Sequence, residues 1–332
     1  MSAPQVMALP GVSPTLAARL ADGLGRVDAV LRSTVDHNDA YVAQASGHLL
    51  AAGGKRFRPT LTLLAAEVCR GVTDDVVAAA AGVELTHLAS LYHDDVMDEA
   101  AVRRGVPSVN AAYDNTTAIL VGDLLFGKAS ELIAGLGAQA VLIQAQTFVR
   151  LCHGQIRDTR SCPPGTDPVD YYLGVLADKT GALVATAARY GAMFAGGSAE
   201  TVELLRVYGE RLGMAFQLAD DIIDIASDGS ASGKTPGTDL REGVDTLAVL
   251  FAKSSTDPAD ARLRELLETD LSDDALHAEA LGLLRAHPAL ERARAHTRAV
   301  GDEARDALAG LPDSDAKTAL MALVEQVVDR VG

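Results

Sequence analysis

The chain has 332 residues, 48% hydrophobic and 4% aromatic, with a net charge of −16. That balance excludes a general affinity for nucleic acid, which needs a basic face, but leaves room for a local basic pocket that takes an anionic small molecule. The three cysteines, Cys69, Cys152 and Cys162, lie in no CxxC pair, which argues against a disulfide framework or zinc site and for a reducing, cytoplasmic compartment.

In chain order, the N-terminal stretch MSAPQVMALPGVSPTLAARL lacks the basic start and apolar core of a signal peptide. No uncharged apolar run reaches membrane-spanning length. Residues 1–45 read as an N-terminal helical segment. The loop GGKRFRP (53–59) follows, with Lys55, Arg56 and Arg58 as three cations in four residues. Gly53 and Gly54 would let the backbone approach an anion there. A 3.6-residue period then predicts helices over 60–70, 76–98, 115–135, 138–157, 169–195, 200–226 and 242–253. Breaks rich in Gly, Pro, Ser and Asp separate them at 103–110, 161–168, 195–200 and 227–239. The segments 76–98, 169–195 and 200–226 are apolar on most sides, as central helices are. Residues 258–332 read as a peripheral, more charged helical region. No alternating strand pattern persists, so the expectation is one all-α domain spanning 1–332.

Two of the central helices carry acidic clusters. In LYHDDVMDEAAVRRG (91–105), Asp94 and Asp98 lie one helical turn apart on one face, with His87 and Ser90 on the same side and Asp95 flanking them. In FQLADDIIDIASD (216–228), Asp220, Asp221 and Asp224 repeat the spacing, and Gln217 stands one turn before Asp221. A single such cluster can be a solvated helix end. Two of them inside apolar helices are best explained as facing each other across a cavity, because buried like charges are costly without a counter-ion. Paired carboxylates suit a hard cation such as magnesium, which completes its octahedron with water and substrate phosphate. Several magnesium ions would then hold one diphosphate, with Arg103, Arg104, Lys179 and Lys234 neutralising its remaining oxygens. The basic loop would be a second anion site, and two anion sites suggest two phosphorylated substrates.

These residues resemble the trans-isoprenyl diphosphate synthases, or polyprenyl synthetases. The match runs over roughly 50–250 and includes GGKRFRP, ELTHLASLYHDDVMDEAAVRRG, GDLLFGKA (122–129), DKTGALVA (178–185), FQLADDIIDIASD and GKTPGTDLREGVDTL (233–247), each once and in the family's order. The resemblance implies the helical isoprenoid-synthase-type fold, with central helices around a large apolar cavity, and a homodimer. It implies magnesium, three ions per active site, and condensation of isopentenyl diphosphate with an allylic diphosphate. By resemblance, Lys55, Arg58, His87 and Arg104 bind isopentenyl diphosphate. Arg103, Lys179, Thr180, Gln217 and Lys234 contact the allylic substrate. Asp94 and Asp98 ligate magnesium, and Asp220 with Asp224 holds a third ion. Two positions depart from the family pattern: Gln155 stands where a Gly-Glu pair is frequent, and Ala248 where Thr-Leu-Pro is.

Product length is expected to depend on Ala89 and Ser90, the fifth and fourth residues before Asp94. In the family, bulky residues there close the product tunnel early. Both are small here, which predicts a long-chain product of the kind used for quinone side chains. A deeper residue such as Phe126 would instead stop growth at geranylgeranyl diphosphate. A class I terpene cyclase fits less well, because its second metal motif is richer in Asn, Ser, Thr and Glu and it lacks the basic loop. A non-catalytic partner subunit usually loses aspartates that are all present here. A greasy product could also bring the protein into transient contact with a membrane surface.

Overall fold

The computed structural model describes residues 12–227 and 236–330, and they are overwhelmingly helical. Helices α1 (Pro14–Val35), α2 (Ala40–Ala51), α3 (Phe57–Glu67) and α4 (Asp74–Met97) lead into a two-residue hairpin, β1 (Val102–Arg103) against β2 (Val106–Pro107). Then come α5 (Val109–Ala112), α6 (Asn115–Ala134), α7 (Ala138–Asp158), α8 (Pro168–Leu176), a π-helical turn (Ala177–Gly181), α9 (Ala182–Phe194) and α10 (Ala199–Ala226). After the second acidic cluster follow α11 (Thr238–Arg241), α12 (Leu247–Lys253), α13 (Ala261–Leu267), α14 (Asp274–Ala286), α15 (Pro288–Ala307) and α16 (Asp315–Asp329). The starts are written in the sequence. Ser13, Asp39, Thr73, Asp114 and Asp167 each accept a backbone N–H of the first turn of α1, α2, α4, α6 and α8. Such caps satisfy donors that the helix itself cannot.

The described residues fall into two compact units. The first takes those within Met1–Val149, Leu183–Gly209 and Leu308–Ala322. Its centre is α4, packed against α1, α3 and α6. Buried side chains therefore occur all round α4, from Val76 to Tyr92. That accounts for a sequence apolar on every face. Tyr92 is fully buried and donates its hydroxyl to Ala45 O at 2.7 Å, tying α4 to α2. The second unit takes those within Arg150–Ala182, Glu210–Ala307 and Leu323–Gly332. In it α12 packs on α8, α13, α14 and α15.

The helix expected over 169–195 runs unbroken from Pro168 to Phe194, with the π-helical turn set into it at Ala177–Gly181. Two expectations need correction. The helix expected over 242–253 begins only at Leu247, since Gly243 is left-handed (φ 74°) and Thr246 is its extended N-cap. The break at 103–110 contains the hairpin. Its two turn residues, Arg104 (φ 55°) and Gly105 (φ 77°), both have positive φ, as a two-residue primed turn requires. None of the described helices is long and apolar enough to cross a membrane.

Candidate active site

The basic loop splits by direction. Arg56 turns inward, buried, and pairs with Asp28 (3.1 Å) and Glu84 (3.2 Å). It anchors the loop and is lost to any ligand. Lys55 is exposed, and Arg58 is half-buried. The Arg58 Nε is buried with no hydrogen-bond partner among the described residues. Burial, followed by the charge of Arg104, lowers the Arg58 pKa, while Glu84 opposes that fall. Arg104 reaches the same loop from the hairpin turn, donating to Leu49 O (3.0 Å) and to Gly53 O. A Cβ on Gly54 would lie 3.0 Å from the Arg104 guanidinium carbon, and Gly54 has φ 146°, so only glycine lets the arginine lie across the loop. Both Arg56 and Arg104 are non-glycine residues held at positive φ. Such conformations persist where surrounding contacts fix a functional geometry. His87, on α4, is half-buried, and burial, then Arg58, Arg104, Arg103 and Arg56, push its pKa well below the usual range. It is a neutral ring among desolvated cations, and a group of this kind gains most from an anion.

One and two turns beyond His87 on that side of α4 stand Ser90 and Asp94. Asp94 is half-buried, and Asp98, the C-cap, is exposed. The last turn of α4 contains no basic residue. Carboxylates at the negative end of a helix are opposed by its dipole, and a cation relieves that. Asp95 differs: it is 0% exposed and accepts from Arg103 Nε at 2.6 Å. The resemblance expects Arg103 at the allylic substrate, but here it is engaged by Asp95. Burial raises the Asp95 pKa against the pull of Arg103.

In the second unit the π-helical turn contains Lys179 and Thr180. Extra turns of this kind cluster at functional sites because they displace backbone groups from the regular ladder. This one is held by Asp178, which accepts from Arg150 Nε (2.8 Å) and meets His153 Nδ1 (3.1 Å). Arg150 also bridges to Glu210 at 2.6 Å. On α7, a Cβ at Gly154 would come within 2.6 Å of Lys179 N, so glycine is needed for the close approach. Lys179 Nζ pairs with Asp158 at 2.7 Å, and Thr180 Oγ1 donates to Gln217 Oε1 at 3.3 Å.

The second cluster lies on α10, again in a helix whose last turn has no basic residue. Asp220 pairs with Arg330 at 2.6 Å. Asp224 accepts from Thr238 N (3.2 Å) and Asp239 N (3.1 Å). Asp221 is 8% exposed and accepts from the Tyr172 hydroxyl and from Gln217 Nε2 (3.0 Å). Burial raises its pKa to about 6, against the hydrogen bonds of Tyr172 and Gln217. Lys234 lies outside the described residues. Among the described residues no three His, Cys, Asp or Glu side chains form a ready-made metal cage. The oxygen donors do fit magnesium, which takes one or two protein carboxylates and draws its other ligands from water and substrate.

Of the pair expected to set product length, Ala89 is fully buried in the core cluster with Leu85, Leu88 and Tyr92. Ser90 is half-buried and donates to His87 O at 2.9 Å. An apolar cavity of about 280 Å³ lies elsewhere in this unit, lined by Phe126, Ile133, Val141, Gln144 and Phe148 among others. The Phe126 and Phe148 rings meet at 4.4 Å on its wall.

Sequence reading missed Arg56 as an anchor, and also Asp158, Asp178, Tyr172 and Arg330. Asp178 had a signal, standing beside Lys179. Arg330 and Tyr172 had none, because their partners are distant in sequence.

A basic pocket around Arg58, Arg104 and His87 and two helix-terminal carboxylate clusters are the chemistry suited to a diphosphate and a divalent cation. The polyprenyl synthetase family profile matches residues 39–284, and the chain belongs to that family of prenyltransferases. It is 48% identical over 319 residues to a nonaprenyl diphosphate synthase of Mycobacterium tuberculosis, covering 95% of each chain. Among solved structures, geranylgeranyl pyrophosphate synthase from Corynebacterium glutamicum, complexed with calcium and isoprenyl diphosphate, is similar at a TM-score of 0.88. It is 42% identical, with 98% of this chain and 100% of that one covered. A decaprenyl diphosphate synthase from Rhodobacter capsulatus matches at 0.87 and 35% identity, covering 96% and 99%.

Proposed function

We propose that this prenyltransferase adds isopentenyl diphosphate repeatedly to an allylic diphosphate and releases a long-chain all-trans-polyprenyl diphosphate, used as a quinone side chain. The observation that carries the reading is the buried, unpartnered Arg58 Nε beside Arg104 and neutral His87. This pocket takes isopentenyl diphosphate, with Lys55 closing from solvent. Asp94 and Asp98 on α4, and Asp220 with Asp224 on α10, would hold magnesium, three ions in all. When bound, magnesium neutralises the allylic diphosphate and promotes its departure. Lys179, Arg103 and Lys234 bind that diphosphate's oxygens, Lys179 and Arg103 after exchanging their present carboxylate partners. Thr180 and Gln217 direct oxygen dipoles at the allylic cation. An apolar surround at the allylic carbon would exclude water, and the departing diphosphate takes the proton lost after the new C–C bond forms. The product is again allylic, so the cycle repeats.

The family match draws on residues of both units, which supports one catalytic domain over 1–332. A homodimer is supported by exposed apolar side chains: Ile119, Leu120 and Leu124 on α6, and Val141, Leu142, Phe148 and Val149 on α7. Free Cys69, Cys152 and Cys162 accord with a cytoplasmic location. A long apolar product favours transient contact with a membrane surface at release. A second reading, a geranylgeranyl product, is favoured by the Phe126–Phe148 wall of the cavity. Reversed-phase chromatography of products made from labelled isopentenyl diphosphate tests both. Six or more isoprene units support the long-chain reading, four support the second, and no incorporation refutes both.

A further inference from the structure

We infer that Asp221, the middle carboxylate of the second cluster, is a positioning residue: with Tyr172 it sets which end of the Gln217 amide faces Thr180. This rests on the function proposed above, in which the Gln217 and Thr180 oxygens face the allylic carbon.

The chain of hydrogen bonds has only one consistent direction. The Tyr172 hydroxyl donates to Asp221, which is nearly excluded from solvent. A carboxylate accepts only, so the second neighbour of Asp221 must also be a donor. That neighbour is the Gln217 amide, and its NH₂ end faces Asp221 at 3.0 Å. The Gln217 oxygen is thereby turned to Thr180, whose hydroxyl donates to it at 3.3 Å. With its proton committed, the Thr180 oxygen presents only lone pairs outward. Without the carboxylate, Gln217 can flip and offer its NH₂ to Thr180, which would put positive dipole ends where the reaction needs negative ones. Asp221 thus differs in role from Asp220 and Asp224, its neighbours on α10, which are assigned to metal.

The test uses Tyr172→Phe, Asp221→Asn and the exchange Gln217→Glu with Asp221→Asn. The exchange restores every donor and acceptor: Thr180 donates to one Glu oxygen, the Asn NH₂ to the other, and Tyr172 to the Asn oxygen. It also keeps the charge count. Full-length variants are compared for kcat, for KM of isopentenyl diphosphate and for the magnesium concentration giving half activity, with melting temperature as the check on folding. Tyr172→Phe and Asp221→Asn should each lower kcat by about tenfold or more, as misplaced groups do. Magnesium half-saturation and KM should move by less than about twofold, because neither variant touches a metal ligand or the basic pocket. The exchange should recover about tenfold over Asp221→Asn alone. A wild-type kcat in Tyr172→Phe, a weakened magnesium dependence matching the kcat loss, or an exchange no better than Asp221→Asn would each overturn the proposal. If the wild type itself transfers no isopentenyl unit, the parent reading fails and takes this one with it. If the wild type is active, those negative results sink this inference alone.

Discussion

The two aspartate clusters share a spacing but not an environment. In each, the middle carboxylate is the buried one: Asp95 at 0% exposed and Asp221 at 8%. Asp95 is matched by a charge, Arg103, eight residues further along the chain. Asp221 is matched by neutral donors, Tyr172 and Gln217. The third carboxylates also diverge, for Asp98 is an exposed C-cap while Asp224 accepts two amides at the start of α11. The identical i, i+1, i+4 pattern therefore fixes which side of a helix each group occupies and nothing about its partner. In the first cluster the buried carboxylate takes its partner from the same short segment. The second is completed by residues from α8 and from the end of α16.

The sharpest way to break the parallel is to remove one metal-assigned carboxylate from each cluster. Asp94→Ala and Asp220→Ala should each lower kcat by about 10²–10³-fold, the usual loss when a preorganised electrostatic group is deleted. Neither should lower the melting temperature appreciably, since each removes negative charge near a helix C-terminus. Near-normal turnover at limiting magnesium in either variant would show that the clusters are not equivalent in metal binding.

Next in size is the anion pocket. Arg58→Ala should raise KM for isopentenyl diphosphate by about 10- to 100-fold, the worth of one charge-assisted contact, and leave the allylic KM little changed. Equal shifts in both constants would mean that the pocket is not selective. Lys234→Ala is the counterpart, expected to act mainly on the allylic substrate.

The middle carboxylates should differ in what they stabilise. Asp95→Ala should cost about 1 kcal/mol in urea unfolding, because it takes one charge-assisted contact from Arg103, which is itself about a third exposed. An unfolding midpoint equal to wild type would place the pair among ion pairs without net value. The smallest effect expected on turnover is that of Ala89→Phe. It should shorten the product while condensation continues, and overpacking a fully buried site should cost about 1–3 kcal/mol. Unchanged product length would move chain-length control to Phe126 and its cavity.

The sequence by itself determined the helical class, most helix starts, the two cluster positions and the basic loop. These depend on local rules: a 3.6-residue period, capping side chains, and glycines where a backbone must bend or approach. Periodicity alone placed Asp94 and Asp98 on one face together with His87 and Ser90. Only the tertiary structure decided that Arg56 turns inward to Asp28 and Glu84 while the Arg58 Nε has no hydrogen-bond partner among the described residues. It also decided that the expected helix takes a π-helical turn at Lys179 and Thr180. Asp221 meets Tyr172 across 49 residues of chain, and Asp220 meets Arg330 across 110. A helical period assigns a side chain to a face, whereas burial and the choice of partner depend on which distant helix packs there. Partner identity therefore appears only once the helices are assembled.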